Sequence, residues 1–574
     1  MTITAVAVAG DRAVADLAAA WAVHVDRGNA VLVRHQATAV AWSTTCRWLE
    51  THDDGDLLVV LDGRLHDVAP PESQAEALAS RYRSVGPKVA EGLTGDFVAI
   101  VLERSTRTLL VARDPVGARP WYQASSGDRH AGASEVATLT SLPWVDREVD
   151  EQTAIEHLAP VTASRGRTFH QGITTLRPGC TWTYYDGSVQ TRRHHRWDIG
   201  PDLDISWDEA VERCRNELDA AVRRRLAISG PATSEISGGL DSSSVVGTIM
   251  GLGHQDLVVG RLVFDGPRAD ERKWSDAVID HWGVPAVSTP PWLPSADESV
   301  SLTRQLDRPL PDPNFVMFAS LRRELLATGR PDLLTGLGGD DAFVTMGMGL
   351  VVVSAVQLRQ WRVLGRVVRA SVVSPREAWR SLHRPALRHL ARWRAPHLPD
   401  WVCPHAAQRV GLASSIGERA SKRSGIAAID GRLADLADGY VAAILESQAV
   451  VSDLIGSRAS HPFFDPHLIG ATYGLDPTWP TRGDHDRALE VLAYRDRIPR
   501  AVAERRSKAE FSEVFWPQLD AETLAEVRRG PLVARGWLDV AGFDRLVGDA
   551  TKGRATAAIP LARCVSLDRW LRSR

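Results

Sequence analysis

The stretch Ser237-Gly238-Gly239-Leu240-Asp241-Ser242-Ser243 gathers the groups needed to hold a polyphosphate. Its glycines let the backbone approach a ligand closely and take φ values that other residues avoid. Ser237, Ser242 and Ser243 add hydroxyl donors, and Asp241 adds a carboxylate able to hold Mg2+ beside phosphate oxygens. Residues 232–236 are short and β-prone, and the apolar run 245–250 reads as the start of a helix. The motif is therefore expected on a strand-to-helix turn, where free N–H groups and the positive end of the helix dipole face an anion. The combination suits pyrophosphate, and it is neither the Walker pattern nor the dinucleotide fingerprint.

A second stretch, Leu333-Leu334-Thr335-Gly336-Leu337-Gly338-Gly339-Asp340-Asp341-Ala342-Phe343, again runs from an apolar strand through glycines into acids. A nucleoside triphosphate carries about four negative charges and needs at least one divalent cation, for which hard carboxylate oxygens are the fitting ligands.

Length and composition bound what can carry these loops. At 574 residues the chain is expected to hold two or more domains. With 44% hydrophobic and 24% charged residues and a net charge of -3, it has an ordinary globular composition and no general pull toward nucleic acid or a membrane. The five cysteines, Cys46, Cys180, Cys214, Cys403 and Cys564, are scattered without a CxxC pair. That argues against a zinc site or a disulfide framework and fits a reducing cytosol. Neither a signal peptide nor a membrane-spanning run is expected, so the expected location is cytoplasmic. The 19 tryptophans are read as core and surface packing, with some available to line a peptide groove.

Residues 1–195 read as mostly β, with short β-rich runs at 30–33, 57–62, 97–103, 108–113 and 181–185 and helical runs at 74–83 and 152–158. Residues 193–206 are the expected linker. Over 207–226 apolar residues recur at helical spacing behind Ser206 as a cap. Residues 257–264 form the next apolar strand region, and a helix over 274–282 ends at Gly283. Alternating strands and helices imply a parallel sheet with its ligand at the strand C-terminal ends. Between about 350 and 400, arginines recur at helical spacing (Arg359, Arg362, Arg366 and Arg369, then every four residues from Arg376 to Arg392), with apolar residues between them. They predict a basic amphipathic helical insertion, either a solvated charged face or a dock for an acidic peptide or a partner protein.

The first motif resembles the SGGxDS pyrophosphate loop of the ATP pyrophosphatases, and the chain resembles the asparagine synthetase superfamily over almost its full length. In the first half, Leu61-Asp62-Gly63-Arg64-Leu65-His66-Asp67, Leu93-Thr94-Gly95-Asp96-Phe97 and Ala112-Arg113-Asp114-Pro115-Val116-Gly117-Ala118-Arg119-Pro120-Trp121-Tyr122 are similar to the N-terminal glutaminase domain of asparagine synthetases. Ser134-Glu135 and Leu176-Arg177-Pro178-Gly179 extend the likeness. The resemblance implies an N-terminal-nucleophile (Ntn) β-sandwich over 1–195. It also implies a degenerate one, because the family's nucleophilic cysteine after the initiator Met is Thr2 here, and the nearest cysteine is Cys46.

Over 205–574 the resemblance implies an ATP-pyrophosphatase parallel-sheet synthetase domain carrying the helical insertion. It implies ATP and Mg2+ as cofactors, with Asp241 and Asp340 sharing the metal. Ser237, Gly238, Gly239, Ser242, Ser243, Val263, Gly336 and Gly338 are implied around the nucleotide. Ser457-Arg458-Ala459-Ser460-His461-Pro462-Phe463-Phe464-Asp465 resembles the ExRxPFxD segment without its glutamate. In Arg505-Arg506-Ser507-Lys508-Ala509-Glu510-Phe511-Ser512, Lys508 takes the place of a catalytic lysine. Amine attack on an acyl-adenylate builds negative charge on the oxyanion and on departing AMP, so a cation is needed there.

Leu337 stands where asparagine synthetases carry a glutamate and β-lactam synthetases a catalytic tyrosine. With Thr2 and the basic, Trp-rich insertion, it makes the chain most similar to lasso-peptide macrolactam synthetases. That likeness implies an ATP-dependent ligase that activates an Asp or Glu side chain of a precursor peptide and closes a ring on the peptide's N-terminal amine. It implies a precursor peptide, a leader peptidase and a leader-recognition protein as partners. The alternatives are a β-lactam synthetase, an ammonia-fed asparagine synthetase and a non-catalytic scaffold for nucleotide or peptide.

Overall fold

A computed structural model describes residues 5–26, 30–43, 49–66, 68, 73–159, 166–229, 231–330, 332–343, 348–365, 398–412, 424–437, 439–479, 487–506, 509–515 and 519–574. The first half contains the strands β1 (Ala5–Ala9), β2 (Ala30–His35), β3 (Thr38–Ser43), β4 (Leu49–Asp53), β5 (Leu57–Leu65) and β6 (Gly95–Glu103). It continues with β7 (Thr108–Arg113), β8 (Tyr122–Ser126), β9 (Arg129–Ala133), β10 (Thr174–Thr175), β11 (Cys180–Tyr185) and β12 (Ser188–Arg193). They form two six-stranded sheets in the orders β10-β8-β9-β1-β3-β2 and β12-β11-β7-β6-β5-β4.

Side-chain alternation along the strands builds the layers. In β1, Ala7 and Ala9 face a core shared with Val60, Ile100 and Val111 of the second sheet. Val6 and Val8 face the other way, onto Ala13, Leu17 and Trp21 of helix α1 (Asp11–Asp26). Helix α2 (Gln74–Val85) covers the outer side of the second sheet through Ala75, Leu78 and Tyr82. The result is a helix–sheet–sheet–helix sandwich. Helix α3 (Glu151–Leu158) departs from it: Ile155 and Leu158 pack with Trp537, Phe543 and Trp570 of the C-terminal segment. The two halves therefore interlock.

After β12 the chain runs without regular structure to helix α4 (Trp207–Ser229). Its start is a capping box: Ser206 Oγ accepts from the Glu209 N–H at 3.3 Å, and the Glu209 carboxylate accepts from the Ser206 N–H at 2.9 Å. The second sheet system is parallel, in the order β15-β14-β13-β16-β17. Its strands are β13 (Ala232–Glu235), β14 (Leu257–Leu262), β15 (Ala286–Thr289), β16 (Asp332–Leu334) and β17 (Arg458–Ser460). The chain builds outward from β13 to β15, then returns to add β16 on the opposite side of β13. That reversal opens a crevice beyond the C-terminal ends of β13 and β16.

Where the expected basic insertion is described, the apolar helix Met348–Gln357 is followed by a break at Arg359, whose φ of 56° is left-handed, and by helical residues 361–365. Residues 366–397, which hold Arg366 to Arg392, lie outside the described residues. Among the tryptophans, Trp121, Trp182 and Trp570 are fully buried and serve the core. No helix among the described residues is long and apolar enough to cross a membrane.

Candidate active site

The first motif leaves β13 and enters helix α5 (Leu240–Gly251) with Gly239 at the N-cap. Gly238 has φ 72°, and a Cβ there would fall 2.4 Å from the Ser275 nitrogen. Only glycine lets the loop press this closely on helix α6 (Arg272–Trp282). The hydroxyls close the turn: Ser237 Oγ accepts from the Gly239 N–H at 3.1 Å, and Ser242 Oγ accepts from the Ser237 N–H at 3.2 Å. Ser243 Oγ donates to the Gly239 carbonyl at 2.7 Å. Arg505 braces the loop from outside. It donates to the Gly238 carbonyl at 3.1 Å, pairs with Glu271 at 2.8 Å and lies 4.0 Å over the Trp274 ring.

The second motif leaves β16, whose Leu334 is in register with Ser234 of β13. It turns through Gly338, at φ 96°, into the short helix α7 (Gly339–Ala342). A Cβ on Gly336 would lie 2.5 Å from the Ser242 nitrogen, so the two loops meet backbone to backbone. Val263, one residue past β14, donates its N–H to Thr289 at 2.9 Å and borders the same end of the sheet. Leu337 packs with Val441, Leu445 and Phe464 in an apolar cluster.

Asp241 and Asp340 converge on one cation, the guanidinium of Arg487. Asp241 pairs with it directly, and Asp340 Oδ1 lies 3.1 Å from Nη1. Glu490, with no exposed side-chain surface, holds the same guanidinium from behind at 2.9 Å and accepts from Ser244 Oγ at 3.1 Å. Two hard carboxylates meeting at one cationic point are the donors that Mg2+ takes, with phosphate oxygens completing the shell. The residues thus fit the metal, and Arg487 stands at its place. Asp341 points elsewhere: burial, reinforced by Asp435 and Asp340, pushes its carboxyl up to about 6. No residue pattern in the sequence marks Arg487 or Glu490. Arg505 could have been found, three positions before Lys508 in the motif phrase. Lys508 itself lies outside the described residues, as do Thr2 and Cys46.

The first-half residues that resemble a glutaminase are engaged in ion pairs. Asp62 pairs with Arg119 at 3.0 Å, and Arg119 reaches Asp453 of the second half at 3.3 Å. Arg64 pairs with Asp332 of β16 at 2.6 Å, and Arg458 holds the same carboxylate at 2.8 Å. Asp96 accepts from Ser460 at 2.6 Å, and Asp465 lies between Arg224 and Arg225 at 2.6 and 2.8 Å. His66 sits between Asp96 and Asp465; burial, with Arg225 beside it, pushes its pKa down to about 4. Burial also raises the thiols of Cys180, Cys214 and Cys564, which makes them poor nucleophiles.

A family model described as asparagine synthase matches residues 213–572, and one described as a glutamine amidotransferase domain matches residues 66–197. Amidase chry2 of Gibberella zeae is 26% identical over 51% of this chain and 48% of its own length. Asparagine synthetase (glutamine-hydrolyzing) 3 of Bacillus subtilis is 27% identical over 36% of this chain and 33% of its own. The chain thus spans about half the length, or less, of these curated relatives. A solved structure of a glutamine phosphoribosylpyrophosphate amidotransferase from B. subtilis aligns at 12% identity with a TM-score of 0.24, over 50% of this chain and 90% of that one. That likeness is too slight to argue from.

Proposed function

The chain belongs to the asparagine synthase family, and from that premise we propose that it is an ATP-dependent carbon–nitrogen ligase acting on a peptide. The carrying observation is the meeting of two glycine-rich loops at the sheet's reversal point, with Asp241 and Asp340 on one cation. Mg2+, held by those two carboxylates, would neutralise the phosphates of ATP. The turn of Ser237, Gly238, Gly239, Ser242 and Ser243 would cradle the pyrophosphate, and Val263, Gly336 and Gly338 would border the nucleotide. A carboxylate oxygen of an Asp or Glu side chain attacks the α-phosphorus, and pyrophosphate leaves. The peptide's N-terminal amine then attacks the acyl carbon, AMP leaves, and the peptide loses one water in total. Lys508 is proposed to meet the negative charge of that second step.

Two observations favour a tethered amine over free ammonia. Leu337 lies in an apolar cluster and offers no general base, which suits an amine already held beside the acyl group by its own chain. The first half directs Asp62 and Arg64 into ion pairs, which suits a domain without glutamine hydrolysis. The proposed partners are a precursor peptide, a leader peptidase and a leader-recognition protein. An ammonia-using asparagine synthetase is the second reading, favoured by the names of the curated relatives.

Pyrophosphate release that depends on a linear precursor peptide, with product 18 Da lighter by mass spectrometry, is the expected result; about 18 Da is the water lost on amide formation. Release with aspartate and ammonia alone would select the second reading. Ammonia released from glutamine would restore the first half as a glutaminase. Asp241→Ala is expected to abolish product, and undiminished ring closure by that variant would remove the ligase reading.

A further inference from the structure

We propose that the cavity between the two halves binds a carboxylate-bearing segment of the peptide; this rests on the peptide-ligase reading above. The cavity encloses about 420 Å³, within the range of small-ligand sites. Its walls come from α3, from residues 166–178, from residues 308–315 and from the first turns of helix α8 (Tyr440–Ile455). Neither nucleotide loop lines it.

Its charge is unbalanced. Arg113, Arg167, Arg177, Arg308 and Arg563 face it, against Asp312 and Glu446. Three of the arginines are matched: Arg308 by Glu446 at 2.5 Å, Arg563 by Asp312 at 2.8 Å and Arg167 by Asp150 at 2.5 Å. Buried Arg113 donates instead to the carbonyls of Gly117, Arg119 and Leu176. Neither Arg113 nor Arg177 forms an ion pair among the described residues. Arg113 has the buried carboxylate of Asp114 beside it, whereas exposed Arg177 stays unmatched, and an unmatched cation at a cavity wall favours an incoming anion.

The walls also hold polar atoms that meet nothing. Thr153 Oγ1, His157 Nε2 and Arg308 Nε are buried without a hydrogen-bond partner, and Thr153 is 2% exposed. Thr153 and His157 are four residues apart on α3 and share one face. Burial, with Arg563 and Arg308 adding to it, pushes His157 down to about 3, so its ring is neutral. Leaving such groups unmet costs about 1–3 kcal/mol each. A carboxylate supplies acceptors for a hydroxyl and a guanidinium N–H, together with negative charge. Val136, Phe169 and Phe315 line the rest and suit apolar neighbours in the same segment. Tyr440 lines the cavity while Val441 and Leu445 of the same helix pack on Leu337 of the second nucleotide loop. One helix therefore stands between the cavity and the proposed ligase site.

The test uses the full chain without nucleotide. It is titrated with the pentapeptide Gly-Val-Ala-Glu-Ala and with its glutamine analogue, by calorimetry and by tryptophan fluorescence, because Trp570 packs edge-on to Phe169 at 5.5 Å. The glutamate peptide is expected to bind about tenfold more tightly or better, the worth of a charge-assisted hydrogen bond. Thr153→Val and Arg177→Gln should each weaken the glutamate peptide severalfold and leave the glutamine peptide unchanged. Equal affinity for the two peptides, or unaltered glutamate-peptide affinity in both variants, overturns the proposal. So does binding of inorganic phosphate or free aspartate as tight as that of the peptide, which makes the cavity a small-anion site. If Thr153→Val does not fold, exposed Arg177→Gln alone gives the readout. Peptide binding with no pyrophosphate release overturns the ligase reading and leaves the cavity standing. Pyrophosphate release with the same peptide KM in wild type and Thr153→Val overturns the cavity and leaves the ligase reading standing.

Discussion

Arg487 forms an ion pair with Asp241 at the point where the carboxylates of the two glycine-rich loops converge. A side-chain cation thereby occupies the place where a divalent ion would bind, and it is anchored from behind by buried Glu490. The metal binding proposed at Asp241 and Asp340 would have to compete with it.

Arg487→Ala is expected to lower stability by about 3–5 kcal/mol, because it removes the cation facing a fully buried carboxylate. Pairing it with Glu490→Leu should recover most of that loss in thermal denaturation. In the double variant, Mn2+ followed by electron paramagnetic resonance without nucleotide should bind about tenfold more tightly than in wild type, since the competing charge is gone. Identical Mn2+ affinities would show that the guanidinium does not compete.

Gly238→Ala and Gly336→Ala test the loop junction. The first forces a side chain onto φ 72° and into the Ser275 amide, and the second drives a methyl into the Ser242 amide. Strain at the first site alone is worth about 1–2 kcal/mol. Both variants should lose at least tenfold in affinity for a fluorescent ATP analogue, a loss of about 1.4 kcal/mol or more. Wild-type affinity in either would mean that the loops need not touch.

Asp332→Asn should destabilise the whole chain. Asp332 is 5% exposed and answers both Arg64 of the first half and Arg458 of β17. Removing the charge leaves two guanidinium groups without their shared carboxylate, at a cost of about 3–5 kcal/mol. A melting temperature within a degree or so of wild type would show that this link between the halves carries little of the stability.

Glu135 predicts a pH dependence. Burial, reinforced by Asp453, pushes its carboxyl from 4.5 up to about 8. The folded chain therefore binds more protons here than the unfolded one between those values. This contribution to stability is fully present below the unfolded value and is lost as pH rises to the folded one. Glu135→Gln removes it, so the variant's melting temperature should exceed that of wild type at about pH 9, with the gap closing toward about pH 5. A gap that stays constant with pH would mean that Glu135 does not titrate in this window.

Residue order alone was enough to place the first glycine-rich loop on a strand-to-helix turn, because Ser237 to Ser243 carries its own glycines, hydroxyls and acid. It also placed β7, α6 with its Gly283 end, and the Ser206 cap, where local pattern and final structure agree. The alanine-rich β1 and β3 escaped notice, because Ala7, Ala9, Ala39 and Ala41 become strand only by pairing inside a sandwich. The arginine period after residue 358 meets a break at Arg359 and helix again at 361–365, and its remainder lies outside the described residues. The chain order also hid Arg487, which is 246 residues from Asp241 and has no motif around it. The docking of Arg64 on Asp332 and the cavity charged by Arg113 and Arg177 were equally illegible. Local chemistry is written in neighbouring residues, whereas the partners of a buried charge are chosen only when distant segments pack and exclude water.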